Sequence, residues 1–328
     1  CKALRLRQGE LTEDDIGFLV TPRINAASRM GHPKEAFDML SSTDATEAGV
    51  LAEHLNKIND ERKGVVGAMV KEIKKTISER EDALQNVIVL GNPEWKPSLL
   101  GLVANSFSDE HNRPVFLWGR PAFAEATAGK EGSNILKGSC RSNGDINIFK
   151  LMEHASDILT EYGGHKQAGG FSIIQDNIHL LEGRLNEAFE ALSNEGARSE
   201  QIFIDKRLSI SDVDWKLYSV IEKLAPFGME NPKPLFIFEN AEIVSFKQFG
   251  KEKNHLEIIF KNTRGRNISA IAFFSHHDKF SAFKDTGLNN SKGIVGRANT
   301  NSFVLGQKIN PAPFPLWSSM HLHQGRAS

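Results

Sequence analysis

The chain has 328 residues, 40% hydrophobic and 25% charged, the balance of a soluble globular protein with room for two or three domains. Its formal net charge is −1 and its pI about 6.9, so overall charge does not announce a nucleic-acid binder, and affinity for phosphate must come from local basic patches. Two cysteines, Cys1 and Cys140, give no disulfide framework and no zinc spacing, and no run of about 18 apolar residues occurs, so the expectation is a reducing cytoplasm and no membrane partner.

The chain opens on Cys1, and residues 2–7 lack the apolar core of a signal peptide, so it reads as the C-terminal part of something longer. Next comes Thr21-Pro22-Arg23-Ile24-Asn25-Ala26-Ala27-Ser28-Arg29-Met30. From Asn25 the small residues permit a tightly packed helix, with Arg23 and Arg29 able to reach out from its ends.

Residues 44–80 carry Leu51, Leu55, Ile58, Val65, Met69, Ile73 and Ile77 at spacings of three, four and seven, with no proline between them. The pattern predicts one helix roughly 55 Å long, enough to bridge two domains, its charged faces read as solvated. Residues 87–90 and 114–118 read as buried strands around a helix at 97–109, which is an α/β unit with a covered sheet. The small, polar stretch 119–134 is expected to be a surface insertion. A strand at 135–139 follows, then a helix carrying Ile148, Leu151, Met152, Ala155, Ile158 and Leu159 and ended by Gly163-Gly164. A glycine-rich strand at 168–174 and a helix at 176–194 complete the unit.

Beyond residue 196 the pattern shifts to short β runs at 202–208, 235–246, 255–260, 268–274 and 293–297, interrupted by a helix at 212–224. That predicts a small barrel or sandwich, with a boundary near 197. Lys247, Lys251, Lys253, Lys261, Arg264 and Arg266 cluster around its turns, with Phe246, Phe249 and Phe260 interleaved. Cations and aromatics together serve a single-strand groove, through phosphate attraction and base stacking; the same residues also suit a plain solvated surface. His276-His277 read as an exposed turn. In the tail, 309–328, His321 and His323 have neither a carboxylate nor a third ligand beside them, so no metal site is expected.

The chemistry concentrates between Lys137 and Ile174. Lys137-Gly138-Ser139-Cys140-Arg141-Ser142 and Gly163-Gly164-His165-Lys166-Gln167-Ala168-Gly169-Gly170 read as two polar turns at the ends of one helix. A serine hydroxyl, an arginine fork and backbone N–H groups freed by glycine supply donors without acceptors, which suits a phosphodiester oxygen. A helix C-cap and an ordinary loop would use the same residues.

The spaced motifs together resemble the RecJ family of single-stranded-DNA-specific exonucleases, over residues 17–300. The resemblance rests on Pro22-Arg23-Ile24-Asn25-Ala26-Ala27-Ser28-Arg29, residues 59–62, Leu100-Gly101-Leu102-Val103-Ala104 and Gly138-Ser139-Cys140-Arg141-Ser142. It continues through the Gly163–Gly170 motif and Leu224-Ala225-Pro226-Phe227-Gly228-Met229-Glu230-Asn231-Pro232, all in the family's order. It implies the end of a DHH phosphoesterase domain at 1–43, a connecting helix at 44–80, a DHH-associated α/β domain at 81–196 and an all-β OB-fold barrel at 197–308, with 309–328 unassigned.

By the same resemblance the parent is a 5′→3′ exonuclease of DNA repair and recombination. Its two Mg²⁺ or Mn²⁺ ions are held by Asp and His motifs that have no counterpart here. Arg141 and Ser139 would bind phosphate at the 5′ end, Arg23 or Arg29 would complete the pocket, and Asn25, Ser142, Gly163, Gly164 and Lys166 would line it. His165 would face the scissile phosphate and stabilise developing charge through an N–H donor. Lys247, Lys251, Lys253, Phe249, Arg264 and Arg266 would follow the strand on the barrel. A monomer is expected, with helicase or single-strand-binding proteins as partners.

Three positions depart from the family pattern: Cys140 stands where glycine is usual, Lys96 where histidine is, and the barrel's closing strand is not evident after Thr300. Two other readings remain, a related DHH phosphoesterase acting on short oligonucleotides or cyclic dinucleotides, and a non-catalytic nucleic-acid-binding module.

Overall fold

The structure is a computed structural model that describes residues 1–80, 84–121, 134–142, 146–193, 203–238, 241–250, 253, 255–272, 294–299 and 302–305. The 122–133 part of the insertion, Lys251, the two histidine pairs and the tail lie outside the described residues. Contacts divide the chain into two compact units, Cys1–Arg5 with Thr21–Ser199, and Leu6–Val20 with Glu200–Ser328.

The first unit begins with α1 (Thr21–Met30), α2 (Pro33–Ser41) and α3 (Ala45–Glu79). Asp44 starts α3: its side chain accepts from the N–H groups of Thr46 at 2.6 Å and Glu47 at 3.2 Å, and these bonds hold its carboxyl below the usual range. The apolar stripe of α3 serves two cores in turn. Leu55 and Ile58 close on Ala26, Ala27 and Ala36, whose small side chains let the three helices approach. Met69, Ile73 and Ile77 then close on a sheet.

That sheet comprises β1 (Ile88–Gly91), β2 (Val115–Gly119), β3 (Ile135–Arg141), β4 (Leu159–Gly164) and β5 (Ala168–Ile174), in the order β1-β2-β3-β5-β4. β1 and β2 are parallel, joined through α4 (Pro97–His111), and the other pairs are antiparallel. The period of two sorts the residues between faces. Ile88, Leu90, Val115 and Leu117 pack with α3 and α4. Val89, Phe116, Leu136, Cys140, Phe171 and Ile173 pack with α5 (Ile148–His154) and α6 (Ile178–Ser193). Asn186 pins α6 to the sheet: its side chain accepts from the Val87 N–H at 2.9 Å and donates to the carbonyls of Val87 and Glu182. A buried amide satisfied in this way costs about 1–3 kcal/mol to break from one side.

Three expectations are corrected here. The helix after Asn147 stops at His154, and Gly163-Gly164 end strand β4 rather than a helix. The strand expected at 135–139 runs on to Arg141, so Lys137–Arg141 is strand throughout rather than a turn. Gly163 and Gly164 pair with Gly170 and Gly169, and those residues pair in turn with Ser139 and Cys140. A glycine pair suits a helix end or a close hairpin equally, and only the partner strand decides between them. The segment 235–246 also divides, into β7 (Leu235–Phe238) and β8 (Glu242–Phe249).

The second unit adds β6 (Lys206–Leu208), α7 (Trp215–Glu222), β9 (His255–Lys261), β10 (Asn267–Ala272), β11 (Ile294–Asn299) and β12 (Ser302–Leu305). Its sheet runs β6-β7-β11-β12-β10-β9-β8, and among the described residues the two end strands do not pair to close a ring. A strand does follow Thr300: β12 lies antiparallel to β11 and parallel to β10. Phe236, Phe238, Ile243, Leu256, Ile258, Phe260, Ala270 and Ala272 form the core, with Ile210 and Ile221 against it. The 6–20 segment joins this unit through Lys233, whose ammonium lies 2.6 Å from Asp14 and 3.5 Å from Glu13.

Candidate nucleic-acid interface

Arg141 ends β3, and its guanidinium lies over Gly101 of α4. A Cβ built at 101 would come within 2.6 Å of Nη2, so glycine there is what lets the guanidinium lie against the helix. Nη1 donates to the Cys140 carbonyl at 2.7 Å, which fixes the fork. Arg29, in the last turn of α1, donates to the Ser98 carbonyl at 2.7 Å, while the Ser98 hydroxyl donates to the Arg29 carbonyl at 2.7 Å. Arg62, on α3, donates from Nη2 to the Asn59 side chain at 3.1 Å, and its buried Nε has no hydrogen-bond partner among the described residues.

Burial lowers the pKa of all three guanidinium groups, and the charge of Arg29 lowers it further at Arg62 and at Arg141. Among the described residues none of the three is paired with a carboxylate. Half-buried like charges without a counter-ion are unfavourable alone, and an anion in their midst removes the repulsion. The constellation therefore has the chemistry of an anion pocket, with forks suited to a phosphate.

Other expected site residues distribute around this cluster. Of the two α1 arginines, Arg29 is the one beside Arg141. Arg23 instead donates to the Asn56 side chain at 2.6 Å and helps hold Asp60 below the usual carboxylate range, behind the larger effect of Lys63. Asn25 is exposed on α1. Ser139 is partly buried, two residues before Arg141 on the same face of β3, and Ser142 is buried, its N–H donating to the Gln167 carbonyl at 2.9 Å.

His165 and Lys166 are exposed in the turn between β4 and β5. That turn is tied by the His165 N–H to the Ala168 carbonyl at 2.8 Å and by the Ile148 N–H, at the start of α5, to the Lys166 carbonyl at 2.8 Å. Gly164 has φ +151°, and a Cβ there would meet the Ala168 carbonyl at 2.4 Å, so the turn requires glycine. Gly163 is different: an added Cβ would meet nothing within 4 Å, so packing leaves its bareness unexplained. Cys140 is a packed thiol, fully buried, 3.7 Å from the Met152 sulfur, and pushed by burial up to about 12.

On the second unit the cations divide. Lys247 is paired with Glu257 at 2.8 Å, and Ser269 donates to the other oxygen of that carboxylate at 2.6 Å. Burial opposes the Glu257 charge, but those two donors hold its carboxyl below the usual range. Lys247 is largely exposed, so this pairing is a weak surface ion pair that a phosphate would have to compete with. Lys253 is exposed at the hairpin, and Phe249 lies 5.3 Å from His255, centroid to centroid. Arg264 and Arg266 project from a turn whose backbone is held by the Asn262 side chain.

Arg62 lies in a motif that carries the resemblance, yet the sequence alone assigns it no role, because a charge on a long amphipathic helix reads as solvated. The signal that distinguishes it is its partner Asn59, a polar residue on the apolar stripe and only 1% exposed. Among the described residues no group of three or more His, Cys, Asp or Glu is placed to hold a metal ion, and no helix is long and apolar enough to cross a membrane.

Comparison with known proteins agrees with this organisation. Residues 84–195 match the model of the DHHA1 domain, and residues 204–309 that of the RecJ OB domain. The single-stranded-DNA-specific exonuclease RecJ of Bacillus subtilis is 31% identical over 254 residues, 77% of this chain and 31% of its own length. The protein of that name from Thermus thermophilus is 30% identical over 250 residues, 76% of this chain and 34% of its own. In fold, the crystal structure of Thermus thermophilus RecJ in complex with Mn²⁺ superposes with a TM-score of 0.67 at 24% identity, covering 97% of this chain and 44% of that one. The chain thus spans about a third of the length of these two relatives, and on the combined evidence of its two domains it belongs to the RecJ family.

Proposed function

We propose that this chain is the substrate-holding part of a single-stranded-DNA-specific 5′→3′ exonuclease acting in DNA repair and recombination. The observation that carries the reading is the Arg29–Arg62–Arg141 cluster, three half-buried guanidinium groups paired with no carboxylate among the described residues. A terminal phosphate monoester brings nearly two negative charges to it, where an internal diester brings one, so the cluster favours a strand end. Ser139, Ser142, Asn25, Gly163, Gly164 and Lys166 would line the approach. His165, exposed on its tied turn, would donate an N–H to the charge that develops on the phosphate under attack. Lys253, Phe249, Arg264 and Arg266 would add sequence-tolerant contact along the strand.

Relatives of this chain are solved with Mn²⁺ and with Mg²⁺. Such ions would supply an activated water and stabilise the leaving oxygen. The described residues group no three His, Cys, Asp or Glu for such ions, and the family resemblance would place the ligands in an N-terminal DHH domain. Arg141→Ala tests the reading. Affinity for 5′-phosphorylated single strands is expected to fall about tenfold or more, and for 5′-hydroxyl strands by much less. An equal loss for both ends would show that Arg141 does not read the end.

A further inference from the structure

Phe149 and Tyr162 stand side by side on the surface, each 37% exposed, with ring centroids 5.8 Å apart and planes inclined at 44°. Neither belongs to the buried cluster beneath them. Tyr162 is opposite Phe171 in the β4–β5 register, and it is Phe171, 4% exposed, that packs against Phe116. Phe149 occupies the first turn of α5, held there by the Asn147 side chain, which accepts from the Phe149 and Lys150 N–H groups at 3.0 and 3.4 Å. The same turn is tied to the His165-bearing hairpin through the Ile148 N–H. Lys150, His165 and Lys166 are exposed around the pair, while Glu161 is engaged with the Ser172 hydroxyl at 3.1 Å.

Two strand spacings across and three residues along separate the backbones at Arg141 and Tyr162, about 14 Å in the plane of the sheet, and the longer way over the sheet edge is still within reach of a few nucleotides of extended strand. The two side chains lie on opposite faces of the sheet. β4 is its edge strand, so a nucleic-acid backbone going from one to the other crosses that edge at Gly163 and Gly164, where no side chain stands in the way.

We infer that Phe149 and Tyr162 form a base-stacking step for a single strand that is held by phosphate at the arginine cluster and passes over the glycine edge. The inference rests on the single-strand reading above and adds to it where, within the first unit, a base is held. An aromatic face stacks on any base, so the step grips the strand without reading its sequence.

The test uses the 328-residue chain and a 5′-phosphorylated oligothymidylate in which one abasic site is moved position by position. The unaltered chain is expected to lose roughly fivefold or more in affinity when the abasic site occupies one or two adjacent positions near the 5′ end. Tyr162→Leu with Phe149→Leu is expected to lose as much with the intact strand and nothing further with those abasic strands, while Tyr162→Phe retains binding. An abasic profile unchanged by the leucine variants overturns the stacking step. If the unaltered chain binds single strands, and Arg141→Ala weakens that binding, the underlying reading survives such a result; if the chain binds no strand, both fall. Photo-crosslinking of a 5-bromouracil strand to the unaltered chain needs no folded variant. Adducts on Tyr162 or Phe149 support the step, and adducts confined to other residues overturn it.

Discussion

The two units carry positive charge in opposite ways. On the first, Arg29, Arg62 and Arg141 come from three different elements, are half-buried, and are fixed by Ser98, Asn59 and the Cys140 carbonyl. On the second, Lys253, Arg264 and Arg266 sit on exposed turns, and Lys247 is matched by Glu257. A fixed, desolvated cluster pays for its geometry in repulsion and can select an anion by shape and charge. Scattered exposed cations attract any polyanion and are screened by salt. The first arrangement suits end recognition and the second suits tracking.

The sharpest way to break this comparison is Arg62→Met. Removing the charge that α3 contributes is expected to weaken binding of 5′-phosphorylated strands about tenfold, and to leave the melting temperature of the free chain unchanged or higher because repulsion from Arg29 is relieved. A fall of several degrees would instead make Arg62 a structural residue. Next comes Arg264→Ala with Arg266→Ala, expected to cost a few-fold for every strand irrespective of sequence or end chemistry. The slope of log affinity against log salt should become shallower by roughly one for each phosphate that is no longer neutralised. A loss confined to one sequence would contradict a tracking role.

Smaller still is Lys247→Ala, for which affinity at moderate salt is expected to change less than about twofold, since a phosphate would have to compete with Glu257 for that charge. The mildest contrast is chemical. With its thiol pushed up to about 12 and fully buried, Cys140 stays protonated and is expected to resist alkylation at about pH 8 in the folded chain, while exposed Cys1 reacts. Mass spectrometry of the labelled peptides reads both sites at once.

What the sequence disclosed follows from the range over which each feature is decided. The α3 stripe and the α/β alternation are local patterns, and Leu55, Ile58, Met69, Ile73 and Ile77 are buried where the spacing placed them. The donor-rich composition of residues 137–174 was legible in the sequence, but its geometry was not. Gly163-Gly164 end a strand because Gly169-Gly170 lie opposite, a fact of pairing rather than of propensity. The choice of Arg29 over Arg23 depends on where α4 presents Ser98, 69 residues away in sequence. The pairing of Lys247 with Glu257 depends on the β8–β9 register that sets the two opposite.

Because α3 is anchored at both ends, with Leu55 and Ile58 in one core and Met69 and Ile73 in another, it fixes phase as well as reach. Each residue of a helix advances about 1.5 Å and turns about 100°. One residue inserted between Arg62 and Met69 would leave both cores with the same side chains yet swing Arg62 and the helices packed around Leu55 by that angle against the sheet carrying Arg141. The arginine cluster thus behaves as a vernier on α3: its three charges coincide at one helix length, and evolution can lengthen the surrounding loops far more freely than this rod.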